Sequence, residues 1–113
     1  MLDMKRFLPH IPQDQFPAEA FSAALYLDSG TRGVGLGQLA FGMENPETGE
    51  VTYSPLEVVR LAIPRRVYTD NHMRLVAESV IRIYRQREAL KGMRIAWAPP
   101  VLRHFTAHLE PVD

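Results

Sequence analysis

Arg60 is the residue whose type and setting point most directly to chemistry. It interrupts an otherwise apolar run, Val58-Val59-Arg60-Leu61-Ala62-Ile63, where a guanidinium costs free energy unless water or an anion satisfies it. Two placements meet that requirement: the wet face of a sheet, or a fork gripping a carboxylate through two parallel N–H···O bonds, for which Arg suits better than Lys. Arg65 and Arg66, just past Pro64, read as ordinary surface or interface charges. His104 and His108 share one face of the strand expected there, but at about 3.3 Å per residue they stand roughly 13 Å apart, too far to chelate one ion. No metal site is expected, and each His reads as a hydrogen-bonded structural group. The spacing Gly33-x-Gly35-x-Gly37 invites a phosphate-loop reading. Its third glycine comes one place early for GxGxxG, however, and the segment follows a helix instead of opening one. No local nucleophile and base, or pair of carboxylates, stands at a catalytic spacing, so no catalytic residue is assigned.

The elements that must position these groups are read from periodicity and punctuation. The stretch from Pro9 to Pro17 should be extended, because Pro9, Pro12 and Pro17 punctuate it. Pro17 suits the first position of a helix running to Asp28, which Gly30 stops. Residues Gly33 to Phe41 alternate as a strand, with Val34, Leu36, Gln38 and Ala40 on one face. After turn chemistry at Asn45-Pro46-Glu47-Thr48-Gly49, a second strand runs from Glu57 to Ile63 and ends at Pro64, completing a long-looped antiparallel hairpin. Thr69, Asp70 and Asn71 are capable N-caps for a helix whose apolar residues Met73, Val76, Ala77, Val80, Ile83 and Tyr84 recur at helical spacing. Arg74, Glu78, Arg82 and Arg85 form its outer face, and Gly92 closes it. Met93 to Trp97 and Leu102 to Leu109 read as two further strands around Pro99-Pro100. The order predicts an α+β two-layer sandwich, a mostly antiparallel sheet with helices packed on one face.

Composition bounds what such a fold can do. A chain of 113 residues is one domain, 1–113. Apolar residues at 46% and charged residues at 23% favour a packed core over disorder. With 13 basic against 13 acidic residues there is no net field to attract nucleic acid or an anionic membrane. The absence of Cys excludes disulfides and thiolate chemistry. No apolar run approaches membrane-span length and no targeting segment is evident, so a cytoplasmic location is expected.

Several stretches together resemble one family: Phe7-Leu8-Pro9-His10-Ile11-Pro12-Gln13-Asp14-Gln15-Phe16-Pro17-Ala18, Leu25-Tyr26-Leu27-Asp28-Ser29-Gly30, Val59-Arg60-Leu61-Ala62-Ile63-Pro64-Arg65-Arg66-Val67-Tyr68-Thr69, and Leu102-Arg103-His104-Phe105-Thr106-Ala107. They resemble the C-terminal small-domain region of the β-eliminating lyases, tryptophanase and tyrosine phenol-lyase. The resemblance implies a fold-type I pyridoxal-phosphate enzyme that splits an aromatic amino acid into pyruvate, ammonia and an aromatic leaving group. It also implies that the Schiff-base lysine and the cofactor lie in a large domain outside this sequence, so that this chain alone is inactive and no cofactor is expected in it. By the family's Arg-Leu-x-Ile-Pro-Arg motif, Arg60 corresponds to the arginine that binds the substrate α-carboxylate. Leu36, His104 and Phe105 correspond to residues of the aromatic-ring pocket, and Leu36 with His104 points to indole as leaving group. Gly35 and Met43 depart from the family's glutamate and arginine, whereas Tyr26-Leu27-Asp28-Ser29-Gly30 and Pro64-Arg65-Arg66-Val67-Tyr68-Thr69 lean to the tyrosine branch. The implied partners are a lysine-bearing large-domain chain, an aromatic amino acid and other copies of the chain. A derived module that binds an amino acid or a protein without chemistry, or a truncated remnant, is the rival expectation.

Overall fold

The computed structural model describes the whole chain except residues 45–46, 63–68, 98–106 and 113. The chain opens with strand β1 (Leu2–Asp3) and a single helical turn α1 (Met4–Phe7), whose first turn is capped by Asp3 accepting the Lys5 amide at 3.0 Å. The segment expected to be extended from Pro9 to Pro17 instead turns. Ile11 N–H reaches the Leu8 carbonyl at 3.2 Å, and Gln13–Gln15 form a 3₁₀ turn. Proline fixes φ near a value that turns and extended chain share, so Pro spacing alone did not separate the two.

Helix α2 (Pro17–Ser29) begins and ends where its punctuation says: Pro17 lies in its first turn, and Gly30, at φ 74°, donates to the Tyr26 carbonyl at 2.8 Å. Its Ala18, Ala20, Phe21 and Leu25 are buried with Met4, Leu8, Ile11, Val59 and Ile83 in one core. Phe7 stands edge-on to both Phe21 (4.8 Å) and Tyr84 (4.9 Å), so one aromatic row ties α1, α2 and α4 (Asp70–Arg85) together.

Strand β2 (Val34–Leu36) pairs antiparallel with β5 (Val58–Arg60), and β5 pairs on its other side with β1, giving the order β1-β5-β2. The predicted strand from Gly33 to Phe41 is thus cut short. After Leu36 the chain turns at Gly37 into a short helix α3 (Gln38–Phe41), because the Gln38 amide is taken by the buried Glu57 carboxylate at 2.9 Å. A small hairpin, β3 (Met43–Glu44) with β4 (Val51–Thr52), fills the expected loop. The buried Gln38 side chain holds it there, accepting from Ser54 N–H at 2.9 Å. The second strand ends at Arg60, and Ile63 and Pro64 lie outside the described residues.

Helix α4 carries a reciprocal cap: Thr69 Oγ1 accepts from the His72 amide at 3.3 Å and His72 Nδ1 accepts from the Thr69 amide at 3.1 Å. It ends at Arg85 and passes through a 3₁₀ turn at Arg87–Ala89, not at Gly92 as expected. Gly92 is instead a point of close approach, where a Cβ would run into the Gln15 side chain. Strands β6 (Met93–Trp97) and β7 (His108–Pro111) pair antiparallel with an irregularity between Ile95 and Trp97. The earlier part of the predicted strand, Leu102 to Thr106, lies outside the described residues. The class is α+β with antiparallel pairing, as the order of elements predicts, and the described strands form three separate sheets. Helix α2 lies on β2 and β5, and α4 packs on α2. Among the described residues no helix is long and apolar enough to cross a membrane.

Arg82, expected on the outer face of α4, reaches back to α2. Its Nη2 lies 2.7 Å from Asp28 Oδ2, and the Ser79 hydroxyl donates to the same oxygen at 2.6 Å. The Arg82 hydrogen bond, reinforced by that of Ser79, lowers the Asp28 pKa below 3.8. A carboxyl whose folded-state pKa is depressed contributes stability above its unfolded value and loses it as pH falls through the folded one. Thermal unfolding midpoints should therefore fall on acidification below pH 3.8, and Asp28→Asn should flatten that dependence. An unchanged slope in the variant would assign the acid sensitivity to other carboxylates.

Candidate functional site

Antiparallel register decides which side chains share a face. Val34 stands opposite Arg60, Gly35 opposite Val59 and Leu36 opposite Val58. Val59 is fully buried in the core, and a Cβ on Gly35 would meet Glu19 and Ala18 of α2, so that face looks inward. Side chains alternate along a strand, so Val34, Leu36, Val58 and Arg60 look the other way. Leu36 and Arg60 are diagonal neighbours across the β2–β5 pair, a relation that separates residues by roughly 7–8 Å and lies within reach of long side chains. The sheet thus presents an apolar strip of Val34, Leu36 and Val58 with a cation at one end.

Arg60 is exposed, so of its two possible placements the wet face is the one found. Its guanidinium has no side-chain partner among the described residues. A planar fork held on a strand and free to bind is suited to a carboxylate, and the neighbouring strip is suited to an apolar or aromatic body. His104 and Phe105 lie outside the described residues, as do Arg65 and Arg66. His108 is exposed and meets the Trp97 ring edge-on at 5.7 Å. Of the four residues expected to contact substrate, the structure therefore brings Leu36 and Arg60 to one face.

A cavity of about 550 Å³ opens beside strand β2, lined by Glu19, Ser22, Val34, Gly35, Leu39 and Leu109 among others. Neither Leu36 nor Arg60 lines it. Gly35, the departure from the family's glutamate, contributes to this cavity and not to the Arg60 face. Among the described residues no cluster of His, Asp and Glu could hold a metal ion. Lys5 is exposed and donates to the Pro55 carbonyl at 3.2 Å, and Lys91 is also exposed. These two lysines are the chain's full complement.

One residue that matters to this site escaped the sequence reading. Glu57, taken only as the start of a strand, is a buried carboxylate beneath the Leu36–Val58 pair. Its signal was an acid immediately before an apolar run, a pattern too common to single it out.

The fold and the face together define a small α+β unit with an exposed guanidinium beside an apolar strip. No family model matches the chain. Curated proteins do: it is 56% identical over 112 residues to the tyrosine phenol-lyase of Symbiobacterium thermophilum and 51% identical over 109 residues to that of Nostoc punctiforme. It is also 48% identical over 115 aligned residues to the probable tryptophanase of Aeropyrum pernix. These alignments cover 96–99% of this chain but 23–24% of the relatives, so the chain spans about a quarter of their length. The sequence is a region of the β-eliminating lyase family, to which tyrosine phenol-lyase and tryptophanase belong.

Proposed function

We propose that this chain is the C-terminal, substrate-closing portion of a pyridoxal-phosphate-dependent carbon–carbon lyase of tryptophan indole-lyase type, acting in the cytoplasm. In this reading Arg60 binds the α-carboxylate of an aromatic amino acid, and Leu36, His104 and Phe105 face its ring. The cofactor and its lysine belong to a large-domain region outside this chain, which supplies the bond-breaking chemistry when bound. The observation that carries the proposal is similarity over 99% of the chain to tyrosine phenol-lyases, at 56% identity. The shared exposed face of Arg60 and Leu36 supports it.

The leaving group is the finer question. An aliphatic residue at position 36 suits indole, while the tyrosine phenol-lyase names among relatives such as those of Symbiobacterium, Nostoc and Clostridium tetani favour phenol. A non-catalytic module is the second reading, motivated by Gly35 and Met43 where the family carries glutamate and arginine.

Reconstitution tests these readings. The chain is mixed with a lysine-bearing large-domain segment of a relative and pyridoxal phosphate, and native mass spectrometry and pyruvate release are followed with L-tryptophan and L-tyrosine. A complex that releases pyruvate faster from tryptophan is the expected result. Faster release from tyrosine would reverse the leaving-group assignment, and a complex without turnover would favour the non-catalytic module. Pyruvate release by this chain without the second segment would overturn the division of labour.

A further inference from the structure

We infer that Glu57 is a positioning residue that sets the register of the Arg60 and Leu36 strands. The substrate part of this inference rests on the reading above; the structural part stands without it. Glu57 is 1% exposed, so its carboxylate must be satisfied from inside. Both oxygens are used: Oε1 accepts from the Gln38 amide at 2.9 Å, and Oε2 from the Ala18 amide at 3.3 Å. One carboxylate therefore takes an orphan amide from the first turn of α2 and another from the first turn of α3. Its main-chain carbonyl also accepts from Met4 N–H at 2.8 Å, which ties in the start of α1.

The position of this knot in the chain is what makes it specific to the site. Gln38 follows Leu36 by two residues, and Arg60 follows Glu57 by three. The bond from Glu57 to the Gln38 amide thus clamps the end of β2 to the start of β5, at the point where Leu36 faces Val58. Without it the β2–β5 ladder is three residue pairs long, and a ladder so short specifies its register weakly. A slip of one residue would turn Leu36 or Arg60 to the opposite face. Gly37 is part of the same device: a Cβ there would collide with the Glu57 carboxylate, so only glycine lets the backbone pass this close.

Glu57→Gln separates register-setting from plain stabilisation. The amide keeps the size of the side chain but turns one acceptor into a donor facing an N–H, so one of the two tethers is lost. Amide-resolved NMR of the chain should show hydrogen exchange at Gln38 or Ala18 at least about tenfold faster, equivalent to about 1.4 kcal/mol of local opening. The Leu36 and Arg60 resonances should shift, while Val80 and Ile83 in α4 keep their exchange rates. Gly37→Ala, whose Cβ pushes on the same carboxylate, should move the same resonances and serves if the glutamine variant does not fold.

Uniform acceleration across α4 and the sheet, with Leu36 and Arg60 in place, would make Glu57 a stabilising residue only and overturn the inference. Titration with L-phenylalanine then addresses the substrate role: weaker binding by Glu57→Gln, with Arg60 and Leu36 unaltered, is expected. Absence of binding by the unmutated chain reconstituted with its large-domain segment would count against the functional reading while leaving the exchange result intact.

Discussion

Phe21→Ala should cost about 3–5 kcal/mol of folding free energy, the range typical of truncating a fully buried aromatic. Phe21 is 0% exposed on the inner side of α2 and sits in one cluster with Met4, Leu8, Leu25, Val59 and Ile83. Truncation removes the ring that Phe7 meets edge-on at 4.8 Å, and Phe7 in turn meets Tyr84 of α4 at 4.9 Å. The cavity left behind adjoins α1, α2 and α4, elements that cannot all close on it at once. A loss of that size is a large share of the roughly 5–15 kcal/mol available to a small domain. Urea unfolding of the variant should show a lower midpoint, or an unfolded chain at 25 °C. Leu27→Ala is the control: Leu27 is on the same helix but 85% exposed, and its loss should stay within about 0.5 kcal/mol. Similar midpoints for the two variants would mean that α2 packs through another face.

The contrast between these two positions on one helix bears on which parts of the fold were legible in the sequence. Helix α2 announces itself through contiguous signals, Pro17 at its start and Gly30 just past its end, and α4 through Thr69 and an apolar period. Each of these is a local interaction between residues a few places apart. Helix α3 is different, because Gly37 and Gln38 read as strand until a carboxylate 19 residues later in the chain takes the Gln38 amide. Likewise β1 exists only because Leu2 finds Val59 across the sheet. The candidate site divides in the same way. That Arg60 needed water or an anion follows from its apolar neighbours, whereas its sharing a face with Leu36 follows from register, which no single segment contains. The resemblance named both residues, but only the pairing of β2 with β5 places them together.

Arg60→Ala should leave the fold intact and remove carboxylate recognition. The side chain is exposed and has no side-chain partner among the described residues, so its truncation should change stability by no more than about 0.5 kcal/mol. Its proposed partner is an α-carboxylate held by two parallel charge-assisted hydrogen bonds, each worth about 1.5–3 kcal/mol. Losing both should lower kcat/KM of the reconstituted enzyme by about 10²–10⁴-fold, taking 1.4 kcal/mol per tenfold. Arg60→Lys should recover only part of that, because an ammonium keeps the charge but cannot present a planar fork. Arg74→Ala, on the exposed side of α4, loses the same charge away from this face and should leave the kinetics unaltered. If charge alone mattered, Arg60→Lys would restore full activity and Arg74→Ala would weaken the enzyme slightly. If the fork matters, the deficit stays with position 60 and follows the geometry of the substituted side chain. A kcat/KM for Arg60→Ala within twofold of the parent would remove Arg60 from the substrate site and, with it, the main chemical argument for the face it shares with Leu36.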